Sequence, residues 1–594
     1  MDEHISVVTP DHFELDFDIA GVGSRFLALL ADSMLIGGIV IVLILAAVVM
    51  GIAGLLTVRS QATGSWVLAV AVIAYFIVTW GYFLFFEALN NGQTPGKKWA
   101  GIRVVKDDGL PVGWRESALR NLVRVADTLP PPACVVGALA ILISKRGKRL
   151  GDLLAGTIVV VDIARLEPTE RVSRWGTTWI LKAERGRVRT GIMAGGLRIE
   201  ANSMQVIERF LARRESLPVA QREALAWRIA SPLLSAVGED PKEIEKRPER
   251  FHICEQALQT IMKLADSAPK ASSDGVTEDA ADAKRRQWRQ FNQRIQRFEG
   301  AGKRDLWRLR PDELAGIIEE YRTLGCDLSR ARSMGRSSAV VRHLNNIAVR
   351  AHGVLYRKML DVKPVPKSSW LKAFPIAVRS HLGSVGLSAL LLFGPSFVSF
   401  FAVQVHPELG YDLVPAGFLD FQPARRESMH DIPTLARPVV ASTILTNNIQ
   451  VTLLSFAFGL TAGVGTAFVL ITNGIQLGAV AGWMTSKGNS SSLWGWIMPH
   501  GGTELLAITL AGAAGLMLAR AVIAPGEVRR AVALRRVAVS ALTIELGVMV
   551  MLIFAGLIEG FVSPSSIGYG ARIAVLATSI VFWFGYLGLS GTRN

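Results

Sequence analysis

A histidine and a glutamate lie four residues apart in IMPHGGTELLAITLAG, residues 497–512. Positions i and i+4 share one face of a helix, so His500 and Glu504 could bind a metal, pass protons or join two helices. A zinc peptidase would need a pattern such as His-Glu-x-x-His, which supplies two ligands and a base. This segment supplies one imidazole and one carboxylate, and a third ligand would have to come from Glu545 or Glu559. The spacing therefore does not favour an intramembrane metalloenzyme.

Other polar side chains lie within apolar runs of the same half of the chain. Together with the pair above, they are Asn447, Asn448, Asn473, Glu545 and Glu559. Hydrogen bonds between helices, worth about 0.6 kcal/mol each on average, are the ordinary explanation. Three carboxylates and a histidine exceed what packing requires, and ionisable groups inside a membrane commonly mark a pathway. The residues leave both interpretations open: packing, or an ion, proton or lipid pathway.

The N-terminal part of the chain has candidates of its own. Arg25 lies at the edge of the first apolar run, and Asp32 lies one or two helical turns inside it. A carboxylate at that depth is costly, so it normally faces protein or water and has a partner. Asp127 and Asp152 are further candidates, each among basic residues. No G-x-S-x-G elbow or Cys/His set offers a catalytic nucleophile.

The stretch NGQTPGKK has only a superficial likeness to a phosphate-binding loop. That loop needs Gly-x4-Gly-Lys-Ser/Thr, because its backbone amides wrap phosphate and its hydroxyl holds magnesium. Asn91 takes the first glycine position, and Lys98 takes the hydroxyl position. We predict a tight turn at Pro95 and Gly96 that brings Lys97 and Lys98 near lipid phosphates.

The elements that must hold these residues follow from composition. The chain has 594 residues, 50% of them hydrophobic, and a mean hydropathy of +0.34. Several windows exceed the ~18 mostly apolar residues that cross a bilayer core of about 30 Å. The sequence predicts an all-α, polytopic integral membrane protein with about eight transmembrane helices, a re-entrant segment and a cytoplasmic helical domain.

Apolar runs predict two spans near the N-terminus and six in a C-terminal block. They are 26–56, 66–86, 382–405, 440–462, 466–486, 503–523, 532–557 and 571–591. One kinked helix could replace two at TAGVGT, and residues 459–486 could also be re-entrant. The run 133–144 is short and has basic flanks, so we expect a re-entrant segment started by Pro130, Pro131 and Pro132.

The formal charge of +16 indicates where the loops lie. Excess Lys and Arg commonly mark cytoplasmic loops that face anionic lipid. We therefore expect both termini and residues 166–380 to be cytoplasmic. The polar, acidic N-terminus does not look like a cleaved signal peptide, so the first apolar run should be retained.

The sequence favours neither a nucleic-acid partner nor a framework held by cysteines. We find no zinc-finger spacing, RNA-binding aromatic signature or isolated basic tail, so nucleic acid is not an expected partner. The cysteines, Cys134, Cys254 and Cys326, are far apart and form no C-x-x-C. This pattern supports neither a disulfide framework nor a cysteine zinc site.

The stretch 170–372 has the composition of soluble helices. SMQVIERFLARRESL, RFHICEQALQTIMKLAD and VVRHLNNIAVRAHGVLYRKML repeat apolar residues at the helical period. Between them, DSAPKASSDGVTEDAADA, residues 266–283, predicts a flexible linker. No strand alternation of comparable strength appears, so we predict two helical halves joined by that linker.

Residues 5–165 closely resemble the RDD family of bacterial membrane proteins, which is named for one arginine and two aspartates. The resemblance rests on the arginine and aspartates named above and on VVTPDHFELDFDIAGVGSRFLALLAD, GQTPGKKWAGIRVV and RLGDLLAGTIVVV. The resemblance implies a location in a bacterial inner membrane. Some members of the family have been linked to sodium–proton antiport. For this chain, that link implies a titrating ion site at Asp32 or at His500 and Glu504.

Residues 285–594 resemble the stage II sporulation protein M family. The resemblance rests on WRLRPDELAGIIEEYRTLGCDLSRARS, VVRHLNNIAVRAHGVLYR, LTNNIQVTLLSFAFGLTAGVGTAFVLITNGIQLGAV, MPHGGTELLAITLAGAAGL and IEGFVSP. The named member acts with cell-wall-remodelling proteins during engulfment, and most relatives have no established activity. The resemblance therefore implies a fold more than a function.

Seven residues of the soluble helices match that family pattern. They are Arg322, Asp327, Arg332, Asn345, Arg350, His352 and Tyr356. A salt-bridge network within a helical hairpin is the ordinary reason for such a set. The competing interpretation is a docking surface for a cytoplasmic partner.

We predict an RDD membrane domain (1–165), a cytoplasmic helical region with its linker (166–283), and a sporulation-protein-M-like unit with cytoplasmic (284–380) and membrane (381–594) parts. The leading expectation is a non-enzymatic scaffold without cofactor or metal, which couples a cytoplasmic partner to envelope processes. The company that relatives often keep implies an ATPase or a von Willebrand-like assembly factor as that partner; homo-oligomerisation is left open. The alternative is a secondary transporter, a cation/proton antiporter that uses buried Asp, Glu or His.

Overall fold

The computed structural model describes most of the chain. The described residues are 4–56, 61–128, 135–144, 146–162, 191–194, 197–200, 206–207, 210–211, 214, 218–237, 240–247, 249–267, 275–300, 311–333, 339–360, 367–419, 437–565 and 567–590. The chain divides into two compact units, one formed by Met1–Arg165 with Leu355–Asn594 and the other by Leu166–Val354. The prolines at 130–132, predicted to start a re-entrant segment, lie outside the described residues.

The N-terminal part of the first unit is mostly helical. Its elements are β1 (His4–Val8), β2 (Glu14–Asp18), α1 (Val22–Leu56), α2 (Gln61–Phe76), α3 (Tyr82–Leu89), α4 (Pro95–Trp99), β3 (Ile102–Lys106), α5 (Trp114–Leu122), α6 (Arg124–Asp127), α7 (Val135–Ile143), α8 (Leu150–Ala155) and β4 (Thr157–Val161). A π-helical turn joins α2 to α3, so the two form one continuous rod.

Two antiparallel strand pairs were not predicted in this part. In β1–β2, His4 lies opposite Asp18, and in β3–β4, Ile102 lies opposite Val161. Each strand has five residues, and β4 is buried along almost its whole length. Because β4 is buried on both faces, it shows no alternation of apolar and polar residues and cannot be distinguished from helix by its pattern. The sequence of β2, ELDFD, does alternate, so its signal was missed.

The second unit contains helices and one short hairpin. Its elements are β5 (Gly191–Ala194), β6 (Leu197–Glu200), α9 (Val219–Ala230), α10 (Pro241–Ile244), α11 (Arg250–Ser267), α12 (Gly275–Gly300), α13 (Pro311–Ser333) and α14 (Ala339–Leu360), the last of which continues past its border. One apolar core lies around α9 and α11, with Leu234, Cys254 and Leu258 fully buried.

The predicted linker at 266–283 is wrong over much of its length. Helix α11 continues to Ser267, and α12 begins at Gly275; residues 268–274 lie outside the described residues. The polar segment that begins α12, VTEDAADA, is rich in alanine and in acidic residues. Alanine favours helix, and acidic side chains are favourable in the first turns, so polar composition alone was misleading.

The C-terminal part of the first unit completes the membrane region. Its elements are α15 (Lys367–Arg379), α16 (Leu382–Val405), α17 (Gly410–Leu413), α18 (Ala416–Leu419), α19 (Arg437–Ala457), α20 (Val464–Ser486), α21 (Ser490–Ile523), α22 (Arg530–Phe561) and α23 (Tyr569–Leu589). At TAGVGT the structure has two helices, because Ala462 and Gly463 adopt positive φ angles of 54° and 80° between α19 and α20.

Eight helical segments of the described residues are long and apolar enough to cross a membrane, which agrees with the predicted polytopic fold. They are Val22–Met50, Gly64–Leu89, Leu382–Val405, Arg437–Leu460, Val464–Ser486, Ser490–Ile523, Arg530–Phe561 and Tyr569–Leu589. Large apolar side chains such as Val42, Val398 and Val581 are more than half exposed on them. Such a surface is stable where lipid covers it.

Glycines set the closest helix contact in the second membrane region. A Cβ at Gly478 of α20 would lie 1.9 Å from the Ser396 carbonyl oxygen of α16. One turn before it, a Cβ at Gly474 would lie 2.2 Å from the Leu392 carbonyl oxygen of α16. One turn after it, a Cβ at Gly482 would lie 2.5 Å from the Phe400 carbonyl oxygen of α16. This ladder of small residues lets two backbones touch, as in other membrane helix pairs.

Candidate functional site

Asp32 of α1 is buried and accepts three hydrogen bonds. Its donors are the Tyr82 hydroxyl at 2.8 Å, the Thr94 hydroxyl at 2.5 Å and the Gly96 amide at 2.7 Å. Thr94 also caps α4, because its hydroxyl oxygen accepts from the Lys97 amide at 3.2 Å. The hydrogen bonds of Asp32 therefore come from neutral donors on α3 and at the start of α4.

The sequence Thr94-Pro95-Gly96 allows α4 to contact α1 at Asp32. A Cβ at Gly96 would lie 2.3 Å from the Ala28 carbonyl oxygen, so only glycine permits this approach of α4 to α1. Pro95 lies in the first turn of α4, where its missing N–H costs nothing. Asp32 thus acts as a clamp between two helices.

A buried ion-pair network joins α3, α4, α5 and α8. Arg120 donates from Nε to Glu87 Oε2 at 3.0 Å, and its Nη1 pairs with Asp152. Nη1 also donates to the Thr157 hydroxyl at 2.8 Å, and Lys97 forms an ion pair with Glu87. The Glu87 and Asp152 side chains have no exposed surface. Each of these carboxylates therefore has a cationic partner.

The prediction for Lys97 is therefore wrong. Its side chain is 12% exposed and turns inward to Glu87 rather than outward to lipid phosphates. The adjacent Lys98 is exposed. Adjacent positions on a helix point about 100° apart, so one lysine of this pair is inside the protein and the other outside.

Arg25 belongs to the same network rather than to Asp32. Its Nη1 lies 4.0 Å from Asp152 Oδ2 and donates to the Gly147 carbonyl at 2.6 Å. Further donations go to the Ala20 and Val159 carbonyls. Arg25 therefore holds the edge of α1 to the segment before α8 and to β4.

Asp127 completes the group of charged residues predicted in this part. Its Oδ2 lies 3.6 Å from Arg149 Nε, and its Oδ1 accepts from the Leu150 amide at 3.1 Å. The Arg149 side chain also reaches to 3.9 Å from Asp152. The structure therefore brings Arg25, Asp127 and Asp152 together and holds Asp32 separately.

Burial controls the electrostatics of this network. It lowers the pKa of the Lys97 ammonium to about 8, although the Glu87 charge opposes the shift. It likewise lowers the pKa of the Arg120 guanidinium to about 10 against the attraction of Glu87. Burial raises the pKa of the Asp127 carboxyl, and the Arg149 charge opposes that shift. Such a network costs desolvation energy and persists because its charges are paired.

A second group of charges joins the two membrane regions. Asp107, just after β3, forms ion pairs with Lys148 and with Arg535 of α22. Burial alone would raise the pKa of Asp107, but its hydrogen bonds to both cations and their charges lower it. Arg535 Nε also donates to the Leu153 carbonyl at 3.4 Å.

The sequence-predicted pair His500 and Glu504 lies on α21 within a wider group of polar side chains. His500 Nδ1 is 2.9 Å from Ser563 Oγ, and its Nε2 is 3.8 Å from Glu504 Oε2. Asn448 of α19 donates to Glu504 Oε1 at 2.7 Å. Glu559 of α22 is buried and close enough to Glu504 for their charges to interact. We call Asn448, His500, Glu504, Glu559 and Ser563 the membrane polar cluster.

Helix α21 begins at Ser490, so the predicted start of this span at residue 503 is wrong. Pro499 has no N–H to donate to the Gly495 carbonyl, which would ordinarily weaken the helix. Arg572 of α23 donates to that carbonyl from Nη1 at 2.6 Å, and to the Ser563 carbonyl at 2.9 Å. The helix continues because a neighbouring span supplies the missing donor.

Glu545 of α22 is fully buried, and neither of its carboxylate oxygens has a hydrogen-bond partner among the residues described. Thr452 of α19 lies beside it, but the Thr452 hydroxyl donates to the Ile449 carbonyl at 2.8 Å. Glu545 therefore differs from Glu504, which accepts a hydrogen bond from an amide.

The two remaining predicted asparagines, Asn447 and Asn473, do not belong to the membrane polar cluster. Asn447 is exposed, and its Nδ2 is 3.5 Å from Asn448 Oδ1. Asn473 donates to the Val469 carbonyl of its own helix at 2.7 Å. Asn473 thus satisfies its own backbone rather than joining the membrane polar cluster.

In the second unit, three residues of the predicted docking surface are inside the protein. Asp327, Asn345 and His352 are each at most 7% exposed. Asp327 accepts from Trp288 Nε1 at 2.9 Å and pairs with Lys284 at 3.1 Å. A buried side chain cannot form a docking surface, so that interpretation is wrong for these three.

Most of the other predicted docking residues are also held by internal contacts. Arg332 donates to Asn345 Oδ1 at 3.2 Å, and the His352 ring lies 3.2 Å from the Tyr321 hydroxyl. Arg350 reaches Asn292 at 3.5 Å, within the same unit. Tyr356 lies in the first unit, and its hydroxyl donates to Asp11 of that same unit. Arg322 is exposed on α13.

Sequence reasoning missed several residues of these sites. Glu87 and Arg572 each carried a usable signal, since each is a lone charge within or beside an apolar run. Arg120 is one of several arginines on a basic stretch, and Ser563 follows the helix end without distinction. Nothing local indicates that those two residues would be buried.

The side chains of the membrane polar cluster are of types that take part in acid–base chemistry. It offers an imidazole, two carboxylates, an amide and a hydroxyl from three helices and the segment after α22. Within the part of the chain that the structure describes, no group of three or more His, Cys, Asp or Glu residues could hold a metal ion. Imidazole and carboxyl groups are the side-chain types that form proton relays inside membranes.

Family models match three parts of the chain. Residues 19–156 match the RDD family, and residues 388–564 match stage II sporulation protein M. Residues 281–357 match a domain of unknown function (DUF8413), within the helices that we expected to belong to the sporulation-protein-M-like unit. No curated protein and no solved structure matches the chain. The first match contains the ion-pair network, and the second contains Glu545 and the membrane polar cluster.

Proposed function

We propose that this chain, which joins an RDD-family region and a stage II sporulation protein M-family region in one membrane protein, is a non-enzymatic scaffold. It couples a cytoplasmic partner to processes of the envelope. The observation that carries this proposal is that the two membrane regions belong to one compact unit, although a second unit of the chain is inserted between them.

Packing and charge both support a rigid connection between the regions. Leu119 and Leu154 of the first region belong to the same apolar core as Phe456 and Leu534 of the second. The Asp107–Arg535 ion pair lies at the same junction. A shared core of this kind moves as one body, because packed interiors do not deform continuously.

Charge supports an orientation in an inner membrane. The basic loop after the second span and the basic stretch 520–536 belong on the cytoplasmic side by the positive-inside rule. With eight crossings, both termini and residues 166–380 then lie in the cytoplasm, and the second unit presents its helices to the partner. An ATPase or an assembly factor is the proposed class of partner.

The short apolar helix α7 is a re-entrant segment in this scheme. It has nine residues, fewer than half of the ~20 that cross a bilayer. A Cβ at Gly137 would lie 2.8 Å from the Asp127 carbonyl, so α7 packs back against α6. This contact supports a segment that enters and leaves on one side.

Cleavage between the two regions tests the observation on which the scaffold rests. A protease site introduced within residues 163–190 is cut after the full chain has been purified in detergent. We expect residues 1–165 to remain with the rest of the protein on size-exclusion chromatography, because the shared core is independent of that connection. Separation of the fragments would refute the single rigid body.

A matched pair of variants measures the contribution of the ion pair. Arg535→Ala removes the partner of Asp107, whereas Arg536→Ala changes an adjacent, exposed arginine. After cleavage, we expect the first variant to dissociate at a lower temperature than the second. Equal dissociation would show that Arg535 does not contribute to the connection.

Photo-crosslinking in cells tests the partner. A photoreactive residue at Arg322, exposed on α13, is compared with one at Tyr411, exposed between α16 and α19. We expect one discrete crosslinked protein at Arg322 that is not captured at Tyr411, because the two positions lie on opposite sides of the membrane in this scheme. The same products at both positions, or none, would contradict the scaffold.

The membrane polar cluster supports a second function, cation/proton antiport. Polar and ionisable side chains of α19, α21 and α22 converge there, as intramembrane ion pathways require. Asp32 is the weaker candidate for the titrating site, since neutral donors already hold both of its oxygens.

Sodium-dependent proton flux in vesicles tests antiport. Glu504→Gln should abolish the flux, whereas Glu408→Gln, on an exposed turn after α16, should leave it unchanged. A loss of flux in Asp32→Asn would show that the first membrane region takes part in antiport. Absence of flux, or flux that is insensitive to Glu504→Gln, would remove this function.

A further inference from the structure

A line of polar side chains continues from the membrane polar cluster into the middle of the bundle. Asn448, Thr452 and Ser455 lie at positions i, i+4 and i+7 of α19 and therefore share one face. Asn448 contacts Glu504, and Thr452, one turn further on, lies beside Glu545. We call the membrane polar cluster together with Thr452, Ser455 and Glu545 the polar column.

The column ends in groups that lack partners. Both Glu545 oxygens and the Ser455 hydroxyl are buried without a hydrogen bond among the residues described. An unsatisfied buried polar group costs about 1–3 kcal/mol, and an unpaired buried charge costs far more. Binding of a proton would reduce this cost, because it makes the carboxylate neutral and gives it an O–H donor.

The neighbours of Glu545 do not neutralise it. The titratable groups on the other helices packed against α22 are Arg437 on α19, His500, Glu504 and Arg520 on α21, Lys372 and Arg379 on α15, Asp152 on α8, and Arg572, Tyr569 and Tyr586 on α23. On α22 itself, Arg530, Arg535 and Arg536 lie more than two turns before Glu545, and Glu559 lies almost four turns after it. None of these groups forms an ion pair with Glu545 in the described part of the structure.

Beyond Ser455 the helices close tightly. A Cβ at Gly515 of α21 would lie 2.2 Å from the Ser455 carbonyl oxygen, and one at Gly459 would lie 2.2 Å from the Gly515 carbonyl oxygen. The Ser455 carbonyl already accepts from the Thr466 hydroxyl at 2.7 Å. The polar column therefore leads from Glu545 to the His500 end of the bundle and meets packed backbone in the other direction.

We propose that Glu545 is a proton-binding site that exchanges its proton with water at the His500 end of the bundle through the polar column. The carboxylate takes one proton and becomes a neutral carboxylic acid, so no counter-ion is required. The acid O–H can then donate to the hydroxyl oxygen of Thr452, which lies beside Glu545.

This site is independent of the scaffold role, whereas the antiport role would use it. Proton binding and ion flux are measured separately, so failure of antiport leaves the binding site testable, and failure of binding leaves the scaffold intact.

Infrared spectroscopy of the full chain in lipid vesicles tests the site. A protonated carboxyl gives a C=O band that shifts when H₂O is replaced by D₂O. We expect one such band to be lost in Glu545→Gln and retained in Glu408→Gln. Retention of every carboxylic acid band in Glu545→Gln would overturn the proposal.

Two more variants separate proton binding from misfolding and test the route of the proton. Glu545→Asp keeps a carboxyl group, so it should restore a band at a shifted frequency if the loss in Glu545→Gln is due to the proton rather than to misfolding. Asn448→Leu interrupts the column, so it should retain the Glu545 band but slow its hydrogen–deuterium exchange. Unchanged exchange would overturn the column as the route.

Chemical labelling distinguishes a proton from a metal cation. Dicyclohexylcarbodiimide reacts with protonated carboxyls in apolar surroundings, and the modified peptide is found by mass spectrometry. We expect labelling at Glu545 but not at the exposed Glu408, with no effect of added sodium. Protection of Glu545 by sodium would mean that the site binds the cation, and would overturn the proposal.

Discussion

The buried carboxylates of the two membrane regions differ in the charge of the groups around them. In the N-terminal region, Glu87 and Asp152 face Arg120, and Lys97 adds a second cation. In the C-terminal region, Glu504 accepts from an amide, and Glu545 has no hydrogen bond in the described structure. The N-terminal region pairs Glu87 and Asp152 with its own cationic side chains, whereas Glu504 and Glu545 have no Lys or Arg partner among the described residues.

This difference separates carboxylates that stabilise the fold through ion pairs from carboxylates that can bind a proton or an ion from solution. A buried ion pair is strongly destabilised by loss of one partner, because the remaining charge stays buried. A buried acid without a cation is neutral only when it takes a proton or an ion from outside. The N-terminal network is therefore expected to be structural, and the C-terminal carboxylates are expected to respond to what the solution supplies.

Removal of Arg120 should have the largest effect. Arg120→Ala leaves Glu87 and Asp152 facing each other across the gap, so we expect a loss of about 3–5 kcal/mol or failure to assemble. Arg115→Ala, at an exposed position of the same helix, is the control. Thermal unfolding in detergent, with monodispersity by size exclusion, measures both. Equal stability of the two variants would mean that the network is not structural.

Close packing, rather than ion pairing, should dominate the C-terminal region. A Cβ in Gly478→Ala would enter the Ser396 carbonyl, so we expect α16 and α20 to separate at a cost of about 1–3 kcal/mol. Gly383→Ala, also on a membrane helix, meets nothing within 4 Å and should be neutral or slightly stabilising. The difference in midpoint of thermal unfolding checks this, and a null difference would contradict the glycine ladder.

A leucine in place of glutamate should have opposite effects in the two regions. Glu545→Leu replaces a buried carboxyl that has no cationic partner among the described residues with an apolar side chain of similar volume, so we expect a gain of about 1–2 kcal/mol. Glu87→Leu leaves Arg120 and Lys97 without their shared partner and should destabilise. Unfolding midpoints measured side by side check the sign. Destabilisation by Glu545→Leu would show that Glu545 has a structural partner.

The helices could be predicted because lipid imposes a long apolar run on every span. The described part of the chain contains eight candidate spans, the number predicted, and TAGVGT separates two helices. The start of α21 was not predictable in the same way, because Pro499 normally weakens a helix. Only the distant Arg572 supplies the missing donor, and no local pattern around Pro499 indicates it.

Partners within the sites were harder to predict than the sites themselves. Asp32 was identified as a costly buried acid, yet its donors come from Tyr82, Thr94 and Gly96, 50 to 64 residues away in sequence. The contact between Asn448 and Glu504 spans 56 residues. A single sequence shows which polar groups need partners, and the packing of the helices decides which partners they receive.

The pH dependence of stability tests the N-terminal network through Lys97. Burial lowers the pKa of Lys97 from its ordinary value of 10.5 to about 8, so its ammonium costs stability at neutral pH. Between pH 8 and 10.5 the unfolded chain binds more protons at Lys97 than the folded chain does, so the contribution of Lys97 to stability rises with pH across that window.

We expect the unfolding midpoint of the native chain to rise relative to that of Lys97→Met between pH 8 and 10. Lys98→Met, at the exposed neighbour, should show a constant difference from the native chain over the same range. A constant difference for Lys97→Met as well would show that Lys97 keeps its ordinary affinity for protons, and the contrast between the two regions would then rest on Arg120 alone.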